Sequence, residues 1–353
     1  MKSLMDNKTV CIYGAGHQGL SMAAHLVLNG VKVNLYNRTQ AHIQKVIDSS
    51  CVLCDGMICG AAKLNKVSAD IAEVVTDIIM ITTPSNAHKD AAKSLAPFVD
   101  ENTVIVLNPG RTFGAIEFAE ELKKNGVRSL PQIAETQTIV YTCRKSGENS
   151  TSIFALKNDV KIAALKTSDI DIVMQAVPAC LKRYFTPVDS VAFTSLSNIG
   201  MILHCAPVLM NIGWIESEKA EFKYYYDGIS PSIARYLEKM DKERVSVARA
   251  LGYEVETLKN WLERTYHVQE NNTYECIKAN ETYKGIDAPP TLNTRYLFED
   301  IPNGLVPIEY LGLQLGVPTK NITTIIDLAN SVMEIDYRKK GRRFDLAVLE
   351  QFF

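Results

Sequence analysis

The chain has 353 residues, enough for about two domains that each bury an apolar core, which excludes a peptide or a lone small module. Hydrophobic residues make up 46% and charged residues 22%, the balance of a globular protein rather than a disordered one. Thirty-eight Lys and Arg against forty Asp and Glu leave a net charge of −2, so no basic field gathers nucleic acid or an anionic membrane, and small molecules are the expected partners.

In chain order, residues 9–14 form a short apolar run ending in glycine. From Leu20 apolar residues recur at helical spacing until Asn29-Gly30 stops them, which predicts strand, tight turn and helix. Residues 31–36 (VKVNLY), 78–82 and 104–107 continue as strands, with helices predicted over 90–96 and 116–124. That alternation predicts βαβ units and a mainly parallel sheet. Between them, Cys51, Cys54 and Cys59 include a CxxC. No second CxxC or His pair completes four zinc ligands, so apolar packing is the expected role and no metal is expected. The eight cysteines are too dilute for a disulfide scaffold and are expected as reduced thiols.

A polar loop over 145–151 precedes a predicted hairpin at 153–165, turning at Asn158-Asp159 and extending the sheet. A helix over 170–183 closes the first domain. From Ser190 strand-like runs almost vanish, and helices are predicted over 192–210, 232–251, 255–265, 305–315 and 323–336. Ser230-Pro231 reads as an N-cap with Pro at the first helical position, and Leu251-Gly252 as a helix stop. The basic run 338–343 reads as a solvated turn. The expected architecture is thus an α/β Rossmann-type domain with a doubly wound parallel sheet over 1–187 and an all-α domain over 188–353. Apolar runs such as 77–82 fall short of the roughly 18 residues of a membrane span, and no signal-peptide core follows Met1, so a cytoplasmic protein without a membrane partner is expected.

Gly14-Ala15-Gly16-His17-Gln18-Gly19 fits G-x-G-x-x-G, after a predicted strand and opening a predicted helix. In that context the glycines permit the tight turn, the approach of a pyrophosphate and close helix–strand packing, with phosphate at the helix N-terminus. The acidic residue that would hold a ribose 2′-hydroxyl is missing: the second strand ends Tyr36-Asn37-Arg38-Thr39. Arg38, beside Asn37, suits a 2′-phosphate, which favours NADP(H) over NAD(H). Thr82-Thr83-Pro84 and Asn108-Pro109 follow the next strands and are expected at the same cofactor edge, whereas His88 reads as a solvent-facing loop residue.

Further stretches complete the pattern: NPGRTFGAIEF, AETQTIVYTCR, SLSNIGMILHCAP, FKYYYDGISPSIARYLEKMDKERVSVARALG and RYLFEDIPNGLVPIEYLGLQLGVPT. With GAGHQG and TTPSNAH, they resemble the octopine/nopaline (opine) dehydrogenases over nearly the whole length. The resemblance implies a Rossmann domain joined to a helical domain. It also implies reductive condensation of an α-keto acid, such as pyruvate, with the amino group of an L-amino acid, followed by hydride reduction of the imine. Read from the residues alone, His204 in an apolar helix is a satisfied core histidine. The resemblance makes it the general acid/base, a role that imidazole's unperturbed pKa of about 6.5 suits. Asp300 matches the carboxylate that orients this ring, although a helix cap fits its spacing too. Arg295 becomes the clamp for a substrate carboxylate, with an ion pair as the alternative.

The family pattern has an asparagine one turn before the histidine. Here Gly200 stands there, and the candidate is Asn198, about 120° from His204 round an ideal helix. Tyr226, within Tyr224-Tyr225-Tyr226, and Glu135 complete the expected substrate-binding residues. A simple keto-acid reductase of ketopantoate-reductase plan and a catalytically silent dinucleotide sensor remain as alternatives. A homodimer through the helical half is the one protein partnership the reading admits.

Overall fold

The computed structural model describes residues 9–218 and 221–352, so the segment after Met1 read for a signal core lies outside the described residues. The chain divides into two compact units, the first ending at Thr194 and the second beginning at Ser195.

In the first unit the strands are β1 (Val10–Tyr13), β2 (Val33–Tyr36), β3 (Cys51–Gly56), β4 (Gly60–Lys63), β5 (Lys66–Ser68), β6 (Ile78–Ile81), β7 (Val104–Leu107), β8 (Gln132–Thr136), β9 (Tyr141–Gly147), β10 (Ser150–Leu156), β11 (Val160–Ala164) and β12 (Phe185–Pro187). Eight of them form one sheet in the order β12-β11-β8-β7-β6-β1-β2-β5. Every neighbouring pair is parallel except β11 against β8. The runs VCIY, VNLY, IIMI and VIVL are buried throughout, as strands covered on both faces must be. Register pairs Tyr13 with Tyr36 and Ile81, and Ile81 with Leu107. That alignment brings Gly14, Asn37, Thr82 and Asn108 to one carboxyl edge. Strand order reverses direction at β1, with β2 on one side and β6 on the other, so this edge is where doubly wound sheets take ligands.

A second sheet, β4-β3-β10-β9, corrects one expectation. Residues 153–165 do not extend the main sheet as a hairpin: β10 pairs with β9 and β3, and only β11 joins the main sheet, antiparallel to β8. Cys51 and Cys54 both lie on β3, three residues apart, and an extended strand directs such side chains to opposite faces. Cys54 points inward, and burial pushes its thiol up to about 11. The helix expected over 170–183 is broken into Ile170–Ala176 and Ala179–Lys182 by Pro178, which cannot continue it. His88 is fully buried rather than solvent-facing, with Phe118 edge-on at 6.5 Å.

In the second unit strands give way to helices, the longest being Pro231–Ala250 with Ser230 accepting from Ile233 N–H as its cap. The apolar stretch Val191–Met210 is long and apolar enough to cross a membrane by composition, against the sequence expectation, yet most of it is buried within the protein. It is also two helices, Val191–Leu196 and Gly200–Met210. Arg244, fully buried, donates to the Leu196 carbonyl at the break and to Asp241, whose other oxygen accepts from Leu258 N–H. The basic run at 338–343 is more than a solvated turn, because Arg338 bridges Glu309 and Asp327 and Arg342 is buried.

Candidate active site

The first unit builds a dinucleotide cradle from its glycines. Gly14 has φ +113°, a conformation open to glycine, and a Cβ there would lie 2.9 Å from Thr83 Cγ2. A Cβ on Gly19 would lie 1.9 Å from the Gly14 carbonyl oxygen, so the helix His17–Leu28 approaches β1 only because position 19 lacks a side chain. Gly16 differs, since a Cβ there would meet nothing within 4 Å. It is the N-cap residue, exposed and without a side-chain cap, so the helix opens onto free space with its first N–H groups presented.

Thr82 ties the two loops of this edge together, its hydroxyl directed at the Tyr13 and Gly14 carbonyls at 3.1 and 3.0 Å. Ala15 N–H donates to Asn37 Oδ1 at 3.3 Å, which links the glycine turn to the end of β2. Gln18 Nε2 and Thr83 Oγ1 are buried here without hydrogen-bond partners, donors of the kind a bound dinucleotide would satisfy. Pro84 is exposed beside them, and Pro109, joined cis to Asn108, is buried. These residues fit the group that the glycine motif announced. Arg38, at the end of β2, is exposed and paired with Asp90 at 3.0 Å.

Glu135 is placed differently from a substrate contact. It is fully buried inside the first unit, where one oxygen accepts from Ala115 N–H at 2.8 Å and the other from Thr194 Oγ1 at 2.7 Å. It caps the helix Gly114–Lys124, whose N-cap residue Phe113 offers no side-chain cap.

In the second unit His204 Nδ1 lies 2.7 Å from Asp300 Oδ2, across 96 residues of sequence. Two local irregularities flank this pair. Pro207 lies inside the helix Gly200–Met210 and has no N–H for the Leu203 carbonyl four residues back. The Tyr224 hydroxyl compensates, donating to the His204 carbonyl at 2.6 Å and reaching the Leu203 carbonyl at 3.3 Å. Burial pushes the Tyr224 phenol well up, so it stays a protonated donor. After Asp300 the chain makes one π-helical turn, Ile301–Leu305, a widening often found at functional sites. There Gly304 presses on the histidine's helix: a Cβ would lie 2.7 Å from Met201 Cβ.

Tyr296 stacks on the His204 ring, centroids 4.1 Å apart and planes 16° apart. The sequence reading passed over Tyr296, although it lies between Arg295 and Asp300. Tyr226, the tyrosine singled out, instead donates to the Lys278 carbonyl at 2.6 Å, with Lys278 Nζ over its ring. Tyr224 is the one of the three that touches His204. Arg295 is about half-exposed and paired through Nε with buried Glu299 at 3.3 Å, the ion pair that was its alternative reading. Asn198 is buried in the helix break, its Oδ1 accepting from Gly200 N–H at 3.1 Å. The structure thus brings His204, Asp300, Tyr296 and Tyr224 together.

Residues 187–333 match the family described as NAD/NADP octopine/nopaline dehydrogenase, alpha-helical domain, and residues 10–110 match Ketopantoate reductase PanE/ApbA. An opine dehydrogenase of Arthrobacter sp. (strain 1C) is 33% identical over 97% of this chain and 95% of its own length. The structure of octopine dehydrogenase with NADH and L-arginine is similar at TM-score 0.76 and 17% identity, covering 94% of this chain and 92% of that one. Yersinopine dehydrogenase with NADP+ bound is similar at TM-score 0.74 and 13% identity, covering 98% and 95%. Those two likenesses speak for the fold. The full-length kinship with the Arthrobacter enzyme, joined to the match of the helical half, shows that this chain belongs to the NAD(P)-dependent octopine/nopaline (opine) dehydrogenase family.

Proposed function

We propose that this protein joins the amino group of an L-amino acid to an α-keto acid, such as pyruvate, and reduces the imine to an N-(1-carboxyalkyl) amino acid. The observation that carries the residue assignment is the 2.7 Å pairing of His204 Nδ1 with Asp300 Oδ2. Asp300 accepts from Nδ1–H, which fixes the tautomer and leaves Nε2 as the basic nitrogen. Nε2 takes a proton from the substrate ammonium, and the freed amine adds to the keto carbon. The imidazolium, steadied by Asp300, then returns its proton to the carbinolamine hydroxyl, which leaves as water. The nicotinamide, when bound, supplies the hydride that reduces the resulting imine.

Arg295 acts as the clamp for a substrate carboxylate through the guanidinium N–H groups other than the Nε–H paired with Glu299. Gly14, Ala15, Gly16, His17, Gln18, Gly19, Asn37, Thr82, Thr83, Pro84 and Pro109 form the cofactor cradle. We assign NADP(H) as the preferred cofactor because β2 ends without a carboxylate at Asn37 or Arg38. Eight free thiols support a reducing, cytoplasmic setting.

Purified protein tests this by NADPH absorbance with keto acid, with amino acid, and with both. Consumption that needs both supports the condensation. Consumption with keto acid alone moves the reading to a simple reductase of the kind matched at residues 10–110, and binding without turnover over a broad panel moves it to a sensor.

A further inference from the structure

The small sheet brings a cation to the cofactor edge that no motif announces. Strand β9 runs past the start of the helix His17–Leu28, where Lys145 N–H donates to His17 Nδ1 at 2.7 Å. From there the Lys145 side chain reaches the segment after β2, placing Nζ 3.4 Å from the His42 carbonyl oxygen. Lys145 therefore spans from the glycine turn to the residues following the second strand. In a dinucleotide fold this interval flanks the adenosine ribose.

Its charge is left over. Neighbouring cations have counter-ions: Arg38 pairs with Asp90 at 3.0 Å, and Lys45 lies 3.9 Å from Glu148. The Lys145 ammonium is engaged by a carbonyl, with no carboxylate within ion-pair distance among the described residues. An ammonium with no carboxylate partner, standing beside the dinucleotide cradle, is a site where an incoming anion gains a charge-assisted contact. Arg38, turned to Asp90 and mostly exposed, is the weaker candidate for that task.

We propose that Lys145 is the principal cation for the adenosine 2′-phosphate, so that cofactor choice in this enzyme is set by the second sheet as well as by the end of β2. The proposal rests on the NADP(H) reading above and deepens it. The His17–Lys145 hydrogen bond uses the lysine's backbone, so replacing the side chain leaves the strand anchored.

Calorimetric titration of the intact protein with adenosine 2′,5′-bisphosphate and with adenosine 5′-monophosphate tests it without turnover. Wild type should prefer the bisphosphate, Lys145→Met should weaken bisphosphate binding about tenfold while leaving the monophosphate within about twofold, and Lys145→Arg should keep most of the preference. A wild-type preference that survives in Lys145→Met overturns the role of Lys145 and leaves the NADP(H) reading standing. A wild type without preference overturns that reading, and the proposal with it.

Discussion

At the scale of single residues, the account turns on what surrounds His204. In the proposed site Asp300 lies 2.7 Å from the ring's Nδ1 and Tyr296 stacks on the ring, and the two predict different losses. His204→Ala removes the proposed acid/base and should lower kcat/KM by about 10²- to 10⁴-fold with the fold intact by circular dichroism. Asp300→Asn keeps size and packing but not the charge that steadies the imidazolium, so its loss should fall mainly in kcat. Tyr296→Phe preserves the stacked ring at 4.1 Å and should keep most of the activity, whereas Tyr296→Leu should lose it. Equal activity of the two Tyr296 variants would remove the positioning role. His204 and Asp300 were readable from sequence only through resemblance, because nothing local links residues 96 apart. Tyr296 had no such help, and among three tyrosines the hydroxyl that meets a proline-orphaned carbonyl cannot be told from periodicity.

Among the elements, those built from local pattern were legible and those built from long-range pairing were not. The strands at 78–81 and 104–107 and the glycine turn follow from apolar runs and backbone chemistry within a few residues. The small sheet stayed hidden because β3 reads as a cysteine cluster and β10 pairs with β9 and β3 rather than with β11. The break at 197–199 was missed although Ser197 and Asn198 stand in it and Gly200 follows, because apolar residues resume on both sides, while the interaction that marks it comes from Arg244, 48 residues from Leu196. Two substitutions test the joints between elements. Tyr224→Phe removes the hydroxyl donor to the His204 carbonyl and the contact with the buried Leu203 carbonyl, and should cost about 1 to 3 kcal/mol in urea unfolding. Gly304→Ala forces a Cβ to within 2.7 Å of Met201 Cβ and should lower kcat by moving the turn that follows Asp300; unchanged kcat would show that the turn has slack.

For the molecule as a whole, one buried histidine makes stability depend on pH. His25 is nearly inaccessible, hydrogen-bonded through Nδ1 to the Tyr141 hydroxyl at 2.9 Å, and burial, with Arg183 nearby, pushes it down to about 4. The unfolded chain binds this proton near pH 6.5 and the folded chain does not, so the contribution is complete above about 6.5 and lost as pH falls towards 4, by about 3 kcal/mol at most. Urea midpoints at pH 7.5 and 5 should fall more for wild type than for His25→Gln; identical falls would mean that His25 does not govern the loss.

The central claim is that one catalytic pair serves a condensation of two substrates. It is tested most directly by the fate of label when the protein turns over ¹⁵N-labelled amino acid, pyruvate and cofactor deuterated at the transferable position. Mass spectrometry should find one product holding the ¹⁵N, the keto-acid carbons and a single deuterium, and it should vanish in His204→Ala. Deuterium in a free 2-hydroxy acid, with the labelled amino acid returned unchanged, would contradict the account.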